Sequence, residues 1–145
     1  MDTSDFLQAD DLYKVIQVAI AVNNKFTSDS DIERFIGLNS AGRQGRYYRL
    51  AAEKLGLIYN QDNHSRLTSH GISLVNTPDH QQIQYIANLL PQLPVFGDAI
   101  NYLNNTPAAQ QNLYDWFVSQ YPGSDNTAER RFSTFAKYLR VTGYI

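Results

Sequence analysis

Residues 38–58 of the chain read LNSAGRQGRYYRLAAEKLGLI, and this stretch decides the predicted fold. Its apolar residues recur at the spacing of one helix face, which predicts a helix with that face in the core. The expected core positions are Tyr48, Ala51, Ala52 and Leu55. Asn39 or Ser40 is a suitable N-cap and Gly56 a suitable end, so we expect the helix to run from about residue 40 to residue 55.

The opposite face of this helix is basic, although the whole chain has a net charge of −2. Residues 40–66 hold five basic and two acidic residues, and residues 126–145 hold four basic residues and one acidic residue. The positive charge therefore lies in two islands within an acidic chain, which is typical of a surface for an acidic polymer. A solvated cationic face without a nucleic-acid role is the alternative.

The elements around this helix predict a winged helix-turn-helix. Residues 10–24 have the spacing of an amphipathic helix, and a short second helix follows with Ile32, Phe35 and Ile36 as its buried stripe. After the third helix, two short strands are expected on either side of the polar turn NQDNHS, at residues 60–65. Three helices followed by a hairpin is the order of a winged helix-turn-helix module.

The second half of the chain resembles the first. A shift of 87 residues aligns residues 40–58 with residues 127–145, and four pairs are then identical. These pairs are Ala41 with Ala128, Arg43 with Arg130, Gly56 with Gly143, and Ile58 with Ile145. Helices are expected at residues 95–103 and 107–121, followed by a last helix at 127–142 that begins with a capping box of Asn126 and Glu129.

The repeat predicts a mainly α fold with short β-hairpin wings, built from tandem winged helix-turn-helix modules. The first module is expected at residues 1–76 and a bridging helix or linker at residues 77–93. The second is expected at residues 94–145, with residues 143–145 beginning a strand and the wing truncated after it.

The basic faces of the two third helices are the candidate DNA-binding surfaces. Arginine can donate two hydrogen bonds to guanine, while lysines and hydroxyls hold phosphates. In a helix-turn-helix, the N-terminal part of the second helix enters the major groove of duplex DNA. The candidate DNA-binding residues are Arg43, Gln44, Arg46, Tyr47, Arg49, His64, Arg66, Thr127, Arg130, Arg131, Ser133, Thr134 and Lys137. Gln44 and Arg131 turn toward the core side and are ranked second.

The sequence GRQGRYYRLAAEKLGLIYN (residues 42–60), followed by RLTSHGISLV (residues 66–75), resembles the winged-helix DNA-binding regions of prokaryotic restriction endonucleases. Residues 127–145 are similar to the second module of those regions. The resemblance implies a DNA-recognition module of a larger restriction endonuclease or related defence protein. It also implies fusion to a C-terminal catalytic domain, in the prokaryotic cytoplasm.

Catalysis within these residues is not expected. No acidic residue is followed two positions later by lysine, which a metal-dependent restriction nuclease needs to hold Mg²⁺ and position water. The chain has no cysteine, and its three histidines lack the spacing of a zinc site. We therefore expect no catalytic residue, no metal site and no cofactor.

No membrane segment or signal peptide is expected either. The N-terminus, MDTSDFLQADD, is acidic and lacks an apolar core, and the longest apolar stretch, at residues 15–22, is far too short to span a bilayer. A cytoplasmic protein with duplex DNA as its partner is the first hypothesis. A free-standing transcriptional regulator and a protein-interaction winged helix are the alternatives.

Overall fold

The computed structural model describes residues 2–145, which form eight α-helices and one β-hairpin. The helices are α1 (Leu12–Asn23), α2 (Asp29–Phe35), α3 (Arg43–Lys54), α4 (Ser69–Val75), α5 (Gln82–Leu89), α6 (Pro94–Asn105), α7 (Leu113–Gln120) and α8 (Asp125–Val141). The antiparallel strands are β1 (Ile58–Gln61) and β2 (His64–Leu67), and short 3-10 turns lie at Thr3–Asp5, Asp79–Gln81 and Leu90–Gln92. The expected mainly α fold with a hairpin is confirmed.

The helix–helix–helix–hairpin order of the first half matches the prediction, with one error in the core of α2. Ile32 and Ile36 are buried, but Phe35 is 37% exposed and lies against Phe26, with ring centroids 5.3 Å apart. Glu33 occupies the buried position instead, at 3% exposed. The helical spacing alone favoured the aromatic ring, because it could not show that a carboxylate has partners in the interior.

The turn between α2 and α3 is organised around the buried carboxylate of Glu33. It accepts hydrogen bonds from the backbone N–H of Ser40, of Gly42 (3.2 Å) and of Gly45 (2.9 Å), and from the Ser40 hydroxyl (2.8 Å). Helix α3 begins at Arg43 rather than at residue 40, and the N–H groups of its first turn are shared between the Glu33 carboxylate, which accepts from Gly45, and the Ser40 hydroxyl, which accepts from Gln44.

These hydrogen bonds decide the charge state of Glu33. Burial by itself raises the pKa of the carboxyl, but the donors on Gly45, Ser40 and Gly42 stabilise the ionised form and lower the pKa from 4.5 to about 2. The carboxylate is thus ionised in the folded protein well below the pH at which it protonates in the unfolded chain.

Helices α2 and α3 approach each other most closely at Gly45. A Cβ atom at this position would lie 2.2 Å from the carbonyl oxygen of Asp29 and 2.9 Å from the Cβ of Glu33. Since both atoms belong to the backbone or the root of a side chain, neither can move away cheaply. The absence of a side chain at Gly45 lets its N–H reach the Glu33 carboxylate.

The hairpin is short and is attached to α2. Its two-residue turn has Asp62 and Asn63 at positive φ, 53° and 59°, the conformation of tight hairpin turns. Asn63 Oδ1 accepts from the backbone N–H of Asp29 (2.9 Å), and the backbone N–H of Ser65 donates to the carbonyl of Thr27 (2.9 Å). The hairpin is therefore held against the start of α2 rather than projecting freely.

Several residues that carry the family resemblance have a structural purpose. Thr68 caps α4 by accepting from the N–H of Gly71 (3.1 Å). A Cβ on Gly71 would lie 2.0 Å from the carbonyl oxygen of Leu57, so only glycine allows α4 to approach the hairpin so closely. Gly56 has a φ of +78°, which ends α3 in the left-handed conformation.

The second half matches its predicted helices only in part. Helix α6 lies where expected, but the helix predicted at residues 107–121 begins only at Leu113. Helix α8 begins at Asp125 after Ser124, so Asn126 lies inside the helix and the predicted capping box is wrong. Residues 143–145 do not form a strand.

Helices α3 and α8 end in the same way, although the predicted tandem modules stay a prediction. Gly143 has a φ of +87°, like Gly56. Beyond each glycine the chain turns back in the same way. The backbone N–H of Leu57 donates to the carbonyl of Ala52 (3.0 Å), and that of Tyr144 donates to the carbonyl of Leu139 (2.8 Å). The corresponding residues, Gly56 with Gly143, Leu57 with Tyr144 and Ala52 with Leu139, are related by the same shift of 87 residues that aligned the two sequences.

Both halves contribute to one hydrophobic core. Phe6, near the N-terminus, packs edge-on against Phe117 and Tyr121 of the second half, with ring centroids 5.4 and 4.9 Å away. The hydroxyl of the fully buried Tyr138 donates to the carbonyl of Ala9 (2.7 Å). The module boundaries at residues 76 and 94 remain predictions within this shared core.

No helix within residues 2–145 has the length and apolar character that crossing a membrane requires.

The buried carboxylate makes stability depend on acid. Because the folded pKa of Glu33 lies below its unfolded value, its contribution to stability is complete above about pH 4.5 and is lost as the pH falls toward 2. We expect Glu33→Gln to lower the free energy of unfolding at neutral pH by roughly 1–3 kcal/mol. The variant should also flatten the pH dependence between pH 5 and pH 2, measured by urea unfolding at several pH values. Exposed Glu129→Gln is the control, and parallel pH profiles for Glu33→Gln and the wild type would contradict the assignment.

The close helix contact gives a second test. We expect Gly45→Ala to destabilise the fold by roughly 1–3 kcal/mol, because the added methyl group must push α2 and α3 apart. Thermal unfolding followed by circular dichroism measures this. In open space alanine would instead stabilise the helix by up to about 1 kcal/mol, so a rise in Tm would show that the contact is not tight.

Candidate nucleic-acid interface

The N-terminal half of α3 presents two free arginines. Arg43 and Arg46 lie almost one turn apart and both are exposed. Within residues 2–145, neither guanidinium has a carboxylate within 4 Å. Two unpaired guanidinium groups on one stretch of helix surface are suited to contact an anionic ligand.

Arg49, predicted to face outward with them, has a different role. Its guanidinium makes a two-point contact with Asp29, through Nε (2.9 Å) and Nη2 (3.0 Å), and a third contact with Glu53 (3.3 Å). These hydrogen bonds, Asp29 first, raise the pKa of Arg49 against the opposing effect of burial. Its side chain is only 16% exposed, so this arginine joins α3 to α2, and the prediction of a freely outward side chain is wrong.

Gln44 and Tyr47 are half-buried beside the exposed arginines. The backbone N–H of Gln44 donates to the Ser40 hydroxyl (2.8 Å), which completes the start of α3. Tyr47 lines a groove between α3 and the N-terminal segment. The predicted turn of Gln44 toward the core side agrees with its half-buried position.

The hairpin presents His64 and Arg66, both exposed. His64 Nδ1 lies 2.9 Å from the hydroxyl of Thr27, which fixes the imidazole near the start of α2. Arg66 has no ion-pair partner in the described part of the chain. The hairpin therefore offers one free cation.

On α8, Arg130, Ser133 and Lys137 are exposed as predicted. Lys137 forms a surface ion pair with Asp10 (3.3 Å), and both side chains are about half exposed, at 48% and 57%. Such exposed pairs are weak, so Lys137 can exchange this partner for another anion. Arg130 has no carboxylate partner among residues 2–145.

Thr134 of α8 is buried and not part of the surface. It is 7% exposed and lies with Val95 and Phe96 of α6, so its predicted outward orientation is wrong. Helical periodicity alone placed Thr134 on the outward face, and the packing of α6 against this part of α8 buries it. Thr127 is half-buried, and its hydroxyl accepts from Ser124 Oγ (3.1 Å).

Arg131 is half-buried, which agrees with the predicted turn toward the core side, and it lies beside the N-terminal segment. It lines the same groove as Tyr47. Within the described residues its guanidinium has no ion pair. It therefore lies apart from the exposed row of Arg130, Ser133 and Lys137.

Sequence reasoning did not identify the acidic residues that position these helices. Tyr48 of α3 donates to Asp10 (3.2 Å) and accepts from the N–H of Asp11 (3.2 Å), and burial together with the charge of Asp10 raises the pKa of the Tyr48 hydroxyl. The carboxylate of Asp29 likewise positions α3, by accepting two hydrogen bonds from Arg49. These partners lie 20 or more positions apart, so no local pattern in the sequence connects them.

Comparison with known proteins gives one family. The family model described as "Domain of unknown function (DUF7226)" matches residues 14–141, which run from the third residue of α1 to the end of α8. No curated protein and no solved structure matches the chain.

The two kinds of arginine on α3 can be separated by stability measurements. We expect Arg49→Ala to lower the free energy of unfolding by about 1–2 kcal/mol, because it leaves Asp29 without its charged partner. Arg43→Ala removes an exposed, unpaired side chain and should change stability by less than about 0.5 kcal/mol. Urea unfolding of both variants measures the difference. Equal effects would mean that the contact between Arg49 and Asp29 contributes nothing to the fold.

Proposed function

We propose that this chain, which belongs to the DUF7226 family, binds duplex DNA through its exposed helix α3. In this proposal α3 is the recognition helix of a winged helix-turn-helix. The chain would serve as the DNA-binding part of a larger restriction endonuclease or related defence protein, as the sequence resemblance implies.

The pair Arg43 and Arg46 is the observation that carries the proposal. The other two cations of α3 are neutralised within the protein, Arg49 by Asp29 and Lys54 by Asp5 (3.5 Å). The exposed N-terminal half of the helix is thus positive, although the chain as a whole is acidic. This is the part of a recognition helix that lies nearest the bases.

The anchoring of α3 also supports the proposal. Glu33 fixes the N-terminal N–H groups of the helix, and Arg49 joins its middle to α2 through a two-point contact. A helix held at two places keeps the backbone of its exposed residues in a constant position, which base recognition requires. The neutralised arginine therefore supports the two that remain free.

The exposed row on α8 is proposed as a second contact. Arg130 and Ser133 are exposed near the start of that helix, and Lys137 follows one turn later. Within this row, Arg130 is the cation without an ion pair, whereas Lys137 pairs with Asp10, so we assign α8 the weaker contribution. In the hairpin, Arg66 is the residue suited to reach an adjacent phosphate.

The test is binding of fluorescently labelled mixed-sequence duplexes, followed by anisotropy at several salt concentrations. Affinity should fall steeply between about 50 and 200 mM salt, because each neutralised phosphate releases counterions. The double variant Arg43→Ala with Arg46→Ala should weaken binding by roughly tenfold or more and reduce the salt slope by about two.

The matched control is Lys25→Ala with Arg34→Ala, which removes the same formal charge from two exposed cations outside α3, α8 and the hairpin. This control should keep most of the affinity. Equal loss in both double variants would show binding by net charge alone, and no binding at low salt would reject the proposal in favour of a protein partner. A stable dimer that prefers a palindromic duplex would favour a free-standing transcriptional regulator.

A further inference from the structure

A groove of about 470 Å³ lies between the N-terminal segment, α3 and α8. This volume falls within the range of roughly 300–1,000 Å³ that small-molecule sites occupy. Its walls come from three parts of the chain that are far apart in sequence. It is separate from the exposed arginines of the proposed DNA-binding surface.

The floor of the groove is apolar. Phe6 and Leu7 line it from the N-terminal segment, and Leu50 and Ala51 line it from α3. Tyr121 is packed edge-on against Phe6, with ring centroids 4.9 Å apart. A flat hydrocarbon or aromatic body would bury its surface well against such a floor.

The polar lining of the groove consists of hydroxyls, one amide and two cations, and no carboxylate lines it. One cation, Lys54, is already neutralised, since its ammonium lies 3.5 Å from Asp5 and 3.3 Å from the Ser4 hydroxyl. Asp5 is beside the groove, and its second oxygen accepts from the backbone N–H of Asp2 (3.0 Å). Both carboxylate oxygens of Asp5 therefore already have a partner, Lys54 for one and the N–H of Asp2 for the other.

The second cation, Arg131, is not neutralised. It is half-buried at the groove and, among the described residues, its guanidinium has neither an ion pair nor a side-chain hydrogen bond. A partly desolvated guanidinium without a counter-charge is unfavourable, and a bound anion would remove that cost. The planar donor pattern of arginine fits a carboxylate or a phosphate.

We propose that this groove binds a small organic anion, with its carboxylate or phosphate on Arg131 and a flat apolar body over Leu50, Leu7 and Phe6. Tyr47, half-buried on α3, forms one wall against that body. The ligand would contact α3 and α8 at once. The proposal rests on the groove alone and does not require DNA binding.

The experiment uses three probes that share one ring system: 2-naphthoate, 2-naphthyl phosphate and the neutral 2-naphthalenemethanol. Binding to the full chain is followed by two-dimensional ¹H–¹⁵N NMR, with amide shifts of Leu7, Leu50 and Ala51 as the local signal. We expect saturable binding of at least one anion and clearly weaker binding of the neutral probe. The stronger of the two anions identifies the natural headgroup as a carboxylate or a phosphate.

The variant Arg131→Gln should weaken binding of the preferred anion by roughly tenfold or more. Arg140→Gln, on the same helix but exposed and outside the groove, should bind as the wild type does. Dispersed amide spectra show that both variants are folded. Equal binding of the neutral and charged probes, no effect of Arg131→Gln, or no saturable shifts at the groove would each overturn the proposal. None of these outcomes alters the duplex-binding measurement, so the two proposals fail separately.

Discussion

The geometry of the first half depends on the carboxylate of Glu33. Four donors from the turn and from α3 converge on it, and this fixes both where the third helix begins and how it lies on the second. The arrangement needs a residue without a side chain at Gly45, since any Cβ would separate the helices. One buried charge and one glycine thus set the direction in which the exposed face of α3 points.

The arginines of α3 show how the same residue type serves two purposes. The guanidinium of Arg49 is mostly buried and donates to Asp29 of α2 and to Glu53 of its own helix. Arg43 and Arg46 keep theirs free at the surface. The difference follows from neighbours rather than from position on the helix, because the carboxylate of Asp29, the first residue of α2, lies against Arg49 and not against Arg43 or Arg46.

Local patterns in the sequence predicted the features that depend on neighbouring residues, namely the buried helix face and the helix ends. Apolar spacing identified Tyr48, Ala51, Ala52 and Leu55 as core, and glycines that adopt positive φ marked the ends of α3 and α8. The burial of Thr134 and the pairing of Arg49 were missed, because each depends on an element distant in sequence. The sequence therefore predicts which cations belong to the candidate surface. Only the packed structure shows which of them have no carboxylate partner.

The N-terminal segment joins the two halves, and this has a consequence for how the chain folds. The Tyr138 hydroxyl meets the carbonyl of Ala9 across 129 positions, while Tyr48 holds the adjoining Asp10 and Asp11 from the other side. Closing so long a loop carries an entropic cost, and contacts between residues far apart in sequence slow folding. During synthesis the N-terminal segment is made before α8, so the hydrogen bond between Tyr138 and Ala9 can form only after α8 has been translated.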